Sequence, residues 1–387
     1  MDARPGALET WHSNPETGSV RILYDHQVFS LQNVGGASRY HYELLKYLAT
    51  VPEVQTELFL GVSENRYPMA SLASARTRVP SWRTAMKPGL TRYAVNELLQ
   101  SVWAPFGGRY EVYHPTYYRE MPVVRARCMV VTHHDCVQEE FPHLFGDASR
   151  VRRAKTALYG KADRIICISE DCRQRLLQHY RVEAGRTCVV HHGLAKLARS
   201  EEAEAELRGH WRQGFLLYVG ARDRQKNFST FLEAFREARL FEDYDLLAVG
   251  GGPFSSEETA RMASLDVAGC VRCIPSASEE LLAEAYAHAV LFVYPSLAEG
   301  FGIPPLEAMA AGCPVAASEV TAIPEVCHDA PVYFDPTDVG SMARALTQGV
   351  GDQAARKRAI ARGHEVAAEY SWEKCGAETL AAYRGCL

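Results

Sequence analysis

No apolar run in this 387-residue chain approaches the roughly 18 residues that a membrane-crossing helix needs. The first 18 residues also lack the apolar core of a secretory leader, so a cytoplasmic protein with a loose N-terminus over residues 1–20 is expected. Neither sign of charge dominates: 42 Lys and Arg stand against 47 Asp and Glu, a net charge of -5. That balance argues against bulk nucleic-acid binding. No G-x-G-x-x-G fingerprint is present, which weakens a nicotinamide reading. The eleven cysteines include a single C-x2-C, Cys270 and Cys273, with no second pair at zinc-like spacing. Most lie in apolar, strand-like contexts such as Cys128, Cys167 and Cys188, so buried free thiols are expected rather than a disulfide scaffold or a metal site.

What the chain does have is an alternation of short apolar strands and amphipathic helices, over a length that suits two domains better than one core. The first strand pattern, Arg21 to Val28, leads to Gly35-Gly36 and a helix ending near Leu48. Glycines at the carboxyl end of the first strand sit where such folds bind ligands. Glu57 to Gly61 gives a second strand, and the pattern then dissolves from Ser63 to Gly108. This span interleaves Arg76, Arg78, Arg83, Lys87 and Arg92 with Trp82, Tyr93 and Trp103. It reads equally as a surface for anionic lipid and as a solvated basic face with anchoring aromatics. Two further strands end in Tyr117-Tyr118 and in His133-His134-Asp135, the side chains of a cleft wall, with Asp135 placed to orient the His134 imidazole. Ser169 caps a helix after a buried strand, and His191-His192-Gly193 reads as a turn closing this half.

Residues 194–206 are charged and alanine-rich and read as a linker. A second α/β unit starts at Gly214 to Val219, and its first loop carries Arg222, Arg224 and Lys226, cations well placed to hold phosphate. Asp243-Tyr-Asp245 matches a D-x-D metal signature but stands at the entrance of a strand, the end opposite the expected cleft, so no metal is expected there. The chain is organised around Ser296 to Val315, which reads as turn, helix and strand. Glu299 lies in a Gly300-Phe301-Gly302 turn, Pro304 and Pro305 start the helix, and Glu307 is expected in its first turn. Turn amides and the helix dipole make an anion site, here flanked by two carboxylates. A sugar nucleotide calls for that combination, because its diphosphate wants amides and cations while its hydroxyls want fixed acceptors.

With the following Ala-Gly-Cys-Pro-Val315 in register, this stretch closely resembles the retaining signature of glycosyltransferase family 4, and the likeness runs from about Ile22 to Tyr383. Within that family the chain looks most like mannosyltransferases of bacterial polysaccharide assembly. The resemblance implies an α/β GT-B fold, two Rossmann-like domains whose parallel sheets face across a cleft. Residues 21–193 would form the acceptor side and 194–370 the nucleotide-sugar side, with 371–387 crossing back and Trp372 as its anchor. It also implies roles: Arg222 and Lys226 on the donor diphosphate, Gly35 and Gly36 beneath it, and Gly300, Phe301 and Gly302 around it. Glu299 would hold the transferred sugar, Glu307 the ribose diol, His134 the sugar from the opposite domain, and Ile274 and Ser276 the base. Tyr117, Tyr118 and His133 are candidate acceptor contacts. The implied reaction is retaining, metal-independent and cofactor-free transfer of a hexose, mannose from GDP-mannose favoured, to a glycan or lipid-linked acceptor. A peripheral contact of residues 76–103 with the inner membrane face would serve such an acceptor. A sugar-nucleotide epimerase on the same fold, or a non-catalytic sugar-nucleotide-binding scaffold, are the alternatives.

Overall fold

The computed structural model describes residues 19–69, 72, 90–104, 108–119, 124, 126–209, 211–222, 224–351 and 353–387. The N-terminal segment 1–18 and Arg76, Arg78, Trp82, Arg83 and Lys87 lie outside the described residues. Twelve strands form two six-stranded sheets among them. The first sheet contains β1 (Val20–Tyr24), β2 (Val54–Leu58), β3 (Tyr110–His114), β4 (Ala126–His133), β5 (Arg164–Cys167) and β6 (Thr187–Val189). The second contains β7 (Phe215–Val219), β8 (Asp245–Val249), β9 (Val271–Ile274), β10 (Leu291–Tyr294), β11 (Val315–Ser318) and β12 (Val332–Phe334). Every pairing is parallel, and the orders are β2-β1-β3-β4-β5-β6 and β12-β11-β10-β7-β8-β9.

Strands such as Phe215–Val219 and Leu291–Tyr294 are apolar throughout because helices cover both faces of a parallel sheet. In each sheet the winding reverses at one gap, between β1 and β3 in the first and between β7 and β10 in the second. Ligands of open parallel sheets bind at the carboxyl ends beside that reversal. The Gly35-Gly36 loop and Tyr117 follow β1 and β3, while Lys226 and Glu299 follow β7 and β10. One apolar cluster runs through both sheets, from Leu23 and Tyr113 to Phe301 and Tyr370.

The chain crosses between the sheets twice, and the two crossings touch: Leu194 pairs with Ser371 in a parallel bridge. A Cβ on Gly193 would lie 2.3 Å from the Trp372 nitrogen, so this approach admits only glycine. The last helix, Trp372–Arg384, then packs on the Gly36–Leu48 helix of the first sheet. Tyr383 fixes it there, its hydroxyl 2.6 Å from both the Tyr24 hydroxyl and His114 Nδ1.

Three expectations are corrected. The first strand stops at Tyr24, and Gln27–Leu31 turns helical. Cys128 is not a free thiol: with Cα atoms 6.1 Å apart it is bonded to Cys386, because the last helix returns the C-terminus to β4. The span 63–108, read as patternless, contains a helix at Leu90–Trp103. Its pattern is inverted: Arg92, Asn96 and Gln100 face inward, and Val95, Leu98 and Val102 face out. Arg92 pairs with Glu64 and donates to Asn33, Asn96 bonds Ser30 and Val62, and Trp103 packs 5.2 Å from Phe59. Arg92 is therefore a structural anchor and not part of a solvated basic face, while Trp103 is an anchoring aromatic, as that reading expected.

Candidate functional site

A cavity of about 480 Å³ opens between the two switch points. The second sheet contributes Gln225, Lys226, Glu299 and Gly300 to Pro304, and the first contributes Gln32, Gly36, Tyr117, Tyr118, His134, Asp135 and His192.

Lys226 reaches this wall because its loop is stitched to the end of β10. The Leu297 amide donates to the Gln225 carbonyl at 2.9 Å, and the Asn227 side chain donates to Pro295 and Pro336 carbonyls at 3.1 and 2.8 Å. Asn227 takes a left-handed backbone (φ 58°) to start the next helix. Lys226 Nζ thereby lies 2.5 Å from Glu299 Oε1, while the Thr321 hydroxyl accepts from the Glu299 amide.

Gly302, at φ 103°, turns the chain into the helix Ile303–Ala310. Pro304 and Pro305 occupy its second and third positions and remove two of the donors a helix end usually offers. The donors that remain are the amides of Gly300, Phe301, Gly302 and Ile303, which have no hydrogen-bond partner among the described residues. The anion site is therefore the turn more than the helix. Glu307 is the fifth residue of the helix, in its second turn and not its first. It is 4% exposed; burial pushes its carboxyl above the usual range, and Arg39, 2.6 Å away on the opposite domain, opposes that rise. The Tyr286 hydroxyl donates to its other oxygen at 3.2 Å.

Arg222 is placed otherwise than expected. It does not line the cavity that Lys226, Glu299 and His134 share. Its guanidinium pairs with Glu258 at 2.6 Å, donates to the carbonyls of Gly250, Gly252 and Pro253, and lies 4.9 Å from the Phe254 ring centre. The glycine-rich loop after β8 captures it. Ile274 and Ser276 stand at the carboxyl end of β9, Ser276 exposed, and Gly250 donates to the Ile274 carbonyl at 2.9 Å.

On the first sheet, β4 delivers two histidines with opposite fates, as strand alternation requires. His133 turns into the core, bonding Tyr159 at 2.7 Å and meeting Cys136, so it is not an acceptor contact. His134 faces the cavity; burial pushes its imidazole down to about 4 against an upward pull from Asp135. It is neutral at physiological pH. Asp135 accepts from the Val137 amide instead of orienting the ring. Gly35 lies against Gln32, where a Cβ would come within 2.4 Å of the side-chain oxygen, and Gly36 lines the cavity.

Several cleft residues gave no sequence signal. His192, read as part of a turn, lines the cavity 5.0 Å from the Phe301 ring and 6.2 Å from His134, and burial holds it neutral. The domains also clasp each other beside the turn. Ser169 Oγ donates to the Gly300 carbonyl at 2.9 Å, and a Cβ on Gly300 would meet the His134 carbonyl at 1.8 Å. Glu325 accepts from the Glu170 and Asp171 amides at 2.7 and 2.9 Å and from His191 at 2.9 Å. Burial alone would raise its carboxyl, but these bonds hold it below the usual range. Far from the cleft, Asp245 of the D-x-D stretch is buried at the entrance of β8 beside Arg212 and Arg272.

Two facing parallel sheets with this cleft define a two-domain α/β protein whose cleft combines a lysine, two carboxylates and a glycine turn. Residues 201–366 match the family described as glycosyl transferases group 1, and residues 34–195 match glycosyltransferase family 4. The O-antigen chain mannosyltransferase B of Escherichia coli is 30% identical over 378 residues, covering 90% of this chain and 96% of the relative. A D-inositol 3-phosphate glycosyltransferase of Thermobifida fusca is 28% identical, covering 92% and 89%. Among solved structures, sucrose-phosphate synthase from Thermosynechococcus elongatus superposes with a TM-score of 0.75 at 21% identity, covering 95% and 98%. WaaG, a glycosyltransferase involved in lipopolysaccharide biosynthesis, gives 0.68 at 17%, covering 93% and 98%. The chain belongs to glycosyltransferase family 4 and has the GT-B fold.

Proposed function

We propose that this glycosyltransferase moves a mannose from GDP-mannose to a hydroxyl of a glycan or lipid-linked acceptor, with retention at the anomeric carbon and without a metal ion. The observation that carries this reading is the second-sheet wall, where Lys226, Glu299 and the turn Gly300 to Ile303 line one cavity and the four turn amides have no hydrogen-bond partner among the described residues. Mannose is favoured because relatives covering most of this chain include an O-antigen chain mannosyltransferase.

The bond between the anomeric carbon and the diphosphate oxygen breaks, and its electron pair goes to that oxygen. Lys226 and the turn amides are aimed at the charge that develops there, the term that usually contributes most to such catalysis. They supply the positive field for which other transferases use a divalent cation. Glu299 exchanges its Lys226 contact for hydroxyls of the sugar, and Glu307 takes the ribose diol. The neutral His134 contacts the sugar from the opposite wall, and Tyr117 and Tyr118 face the acceptor. The acceptor oxygen attacks from the face the leaving group vacates, and its proton passes to the departing phosphate oxygen. Arg222 acts at a distance by fixing the loops after β7 and β8. The test is transfer from GDP-mannose to a mannoside, with and without EDTA, the new linkage read by NMR. An α-linked product formed equally with EDTA is expected; a β-linkage or loss of activity with EDTA would refute retention or metal independence.

A peripheral membrane contact is proposed on a second observation. No helix among the described residues is long and apolar enough to cross a membrane. The outer face of Leu90–Trp103, however, carries Thr91, Ala94, Val95, Leu98, Ser101 and Val102 with no charge, Leu98 being 68% exposed. Co-sedimentation with phosphatidylglycerol vesicles, lost in Leu98→Asp, is the expected result; equal sedimentation of both proteins would remove the contact.

A further inference from the structure

A diphosphate carries two adjacent charged groups, and among the described side chains of the loop after β7 Lys226 is the one cation that lines the cavity. Arg222 is spent: its Nε and both terminal nitrogens are bonded, and it is 3% exposed. A different arginine stands at the cleft with most of its capacity unused. Arg39 is the fourth residue of the Gly36–Leu48 helix, one turn beyond Gly36, which lines the cavity; Arg39 and its partner Glu307 are not themselves lining residues, and they meet where the two domains adjoin. Its Nη1 donates to Glu307 Oε1 at 2.6 Å, and its other guanidinium nitrogens have no hydrogen-bond partner among the described residues. The pair joins the two domains across the cleft, 268 residues apart in sequence.

The partner of Arg39 is the carboxylate that the proposed function assigns to the ribose diol. Glu307 is 4% exposed, with Arg39 against one oxygen and the Tyr286 hydroxyl on the other. A ribose reaches the carboxylate only where one of these contacts gives way, and Arg39 is the one that comes from the opposite domain. A ribose that takes Glu307 therefore displaces Arg39. A displaced guanidinium beside the glycine loop needs an anion, since leaving a buried charge unpaired is costly. Guanidinium groups suit phosphate well, because their fork of donors matches its oxygens.

The geometry points to Arg39 as the second cation on the donor diphosphate, transferred to it from Glu307 when the ribose binds. This rests on the donor reading of the cleft and deepens it: ribose and diphosphate recognition become one coupled event. A nucleoside must displace Arg39 and offers it nothing in return, whereas a nucleoside diphosphate supplies the new partner.

The test is calorimetric titration of GDP and guanosine, with UDP and uridine as a second pair, into the full chain and into Arg39→Gln and Arg39→Lys. Gln keeps a hydrogen-bond donor for Glu307, so the buried carboxylate is not left bare and folding is preserved. Loss of a charge-assisted contact predicts GDP binding about 10- to 100-fold weaker in Arg39→Gln. Guanosine should bind as tightly as to the unmodified protein or more tightly, and Arg39→Lys should fall between for GDP. Equal weakening of GDP and guanosine would make Arg39 only a clasp between domains and would overturn the inference, as would no change in either. If the unmodified protein bound none of the four, the donor reading itself would fall, and this inference with it.

Discussion

The two walls of the cleft hold their polar groups in opposite ways. On the second sheet the groups are charged and paired: Lys226 with Glu299, and Glu307 with an arginine reaching over from the other domain. On the first sheet they are aromatic and mostly uncharged: Tyr117, Tyr118, and the imidazoles of His134 and His192, both held neutral by burial. A charged wall suits a diphosphate whose charge grows as the bond breaks. A neutral wall suits sugar and acceptor hydroxyls, which need directional partners and would gain little from net charge. The pairing also solves a folding problem, because Glu299 and Glu307 are each compensated by a cation.

The largest effect should follow from removing the charged wall's own cation. Lys226→Ala should lower kcat by about 10²- to 10³-fold, the usual loss of one leaving-group contact. Initial rates at saturating donor will check this; a loss confined to KM would move Lys226 from the transition state to ground-state binding. Next comes the contact between the walls. Gly300→Ala places a methyl group where the His134 carbonyl lies 1.8 Å away, so the domains must separate locally. A stability loss of about 1–3 kcal/mol is expected for such overpacking. Urea unfolding will measure it, and an unchanged midpoint would mean that the clasp at Ser169 and Gly300 yields freely.

The remaining effect concerns the neutral wall, is spread over a range of pH, and has a definite sign. The His134 imidazole titrates near 6.5 ordinarily and near 4 in the fold. The unfolded chain therefore takes up the proton first. This share of stability is complete above about pH 6.5 and is lost as pH falls toward 4, at up to about 1.4 kcal/mol per pH unit. His134→Asn should flatten the slope of unfolding free energy against pH in that window by this amount. An unchanged slope would show that His134 is not held neutral by burial.

Much of the charged wall was readable in sequence, because strand, turn, helix and both glutamates lie within one stretch, and Lys226 follows a strand directly. The family resemblance located Arg222 but not its direction, which depends on Glu258 and on the carbonyls of Gly250, Gly252 and Pro253. Arg39 with Glu307, Glu325 with His191 and Cys128 with Cys386 were invisible: their partners lie 268, 134 and 258 residues apart. Nothing local announces such pairs until the second sheet closes on the first and the last helix returns. The Leu90–Trp103 helix was missed for a different reason. Its buried face is polar, the reverse of the pattern that periodicity detects.

The most direct test of the charged wall as a donor site is a thermal-shift panel of GDP, UDP, dTDP and ADP with their sugar conjugates, run on the unmodified chain and on Glu307→Ala. A ligand at 100 times its Kd adds about 2.7 kcal/mol, an easily measured shift. The expected result is stabilisation by one nucleotide family, GDP first, unaffected by EDTA and lost in Glu307→Ala. No shift with any nucleotide, or an equal shift in Glu307→Ala, would contradict a donor site built on this wall.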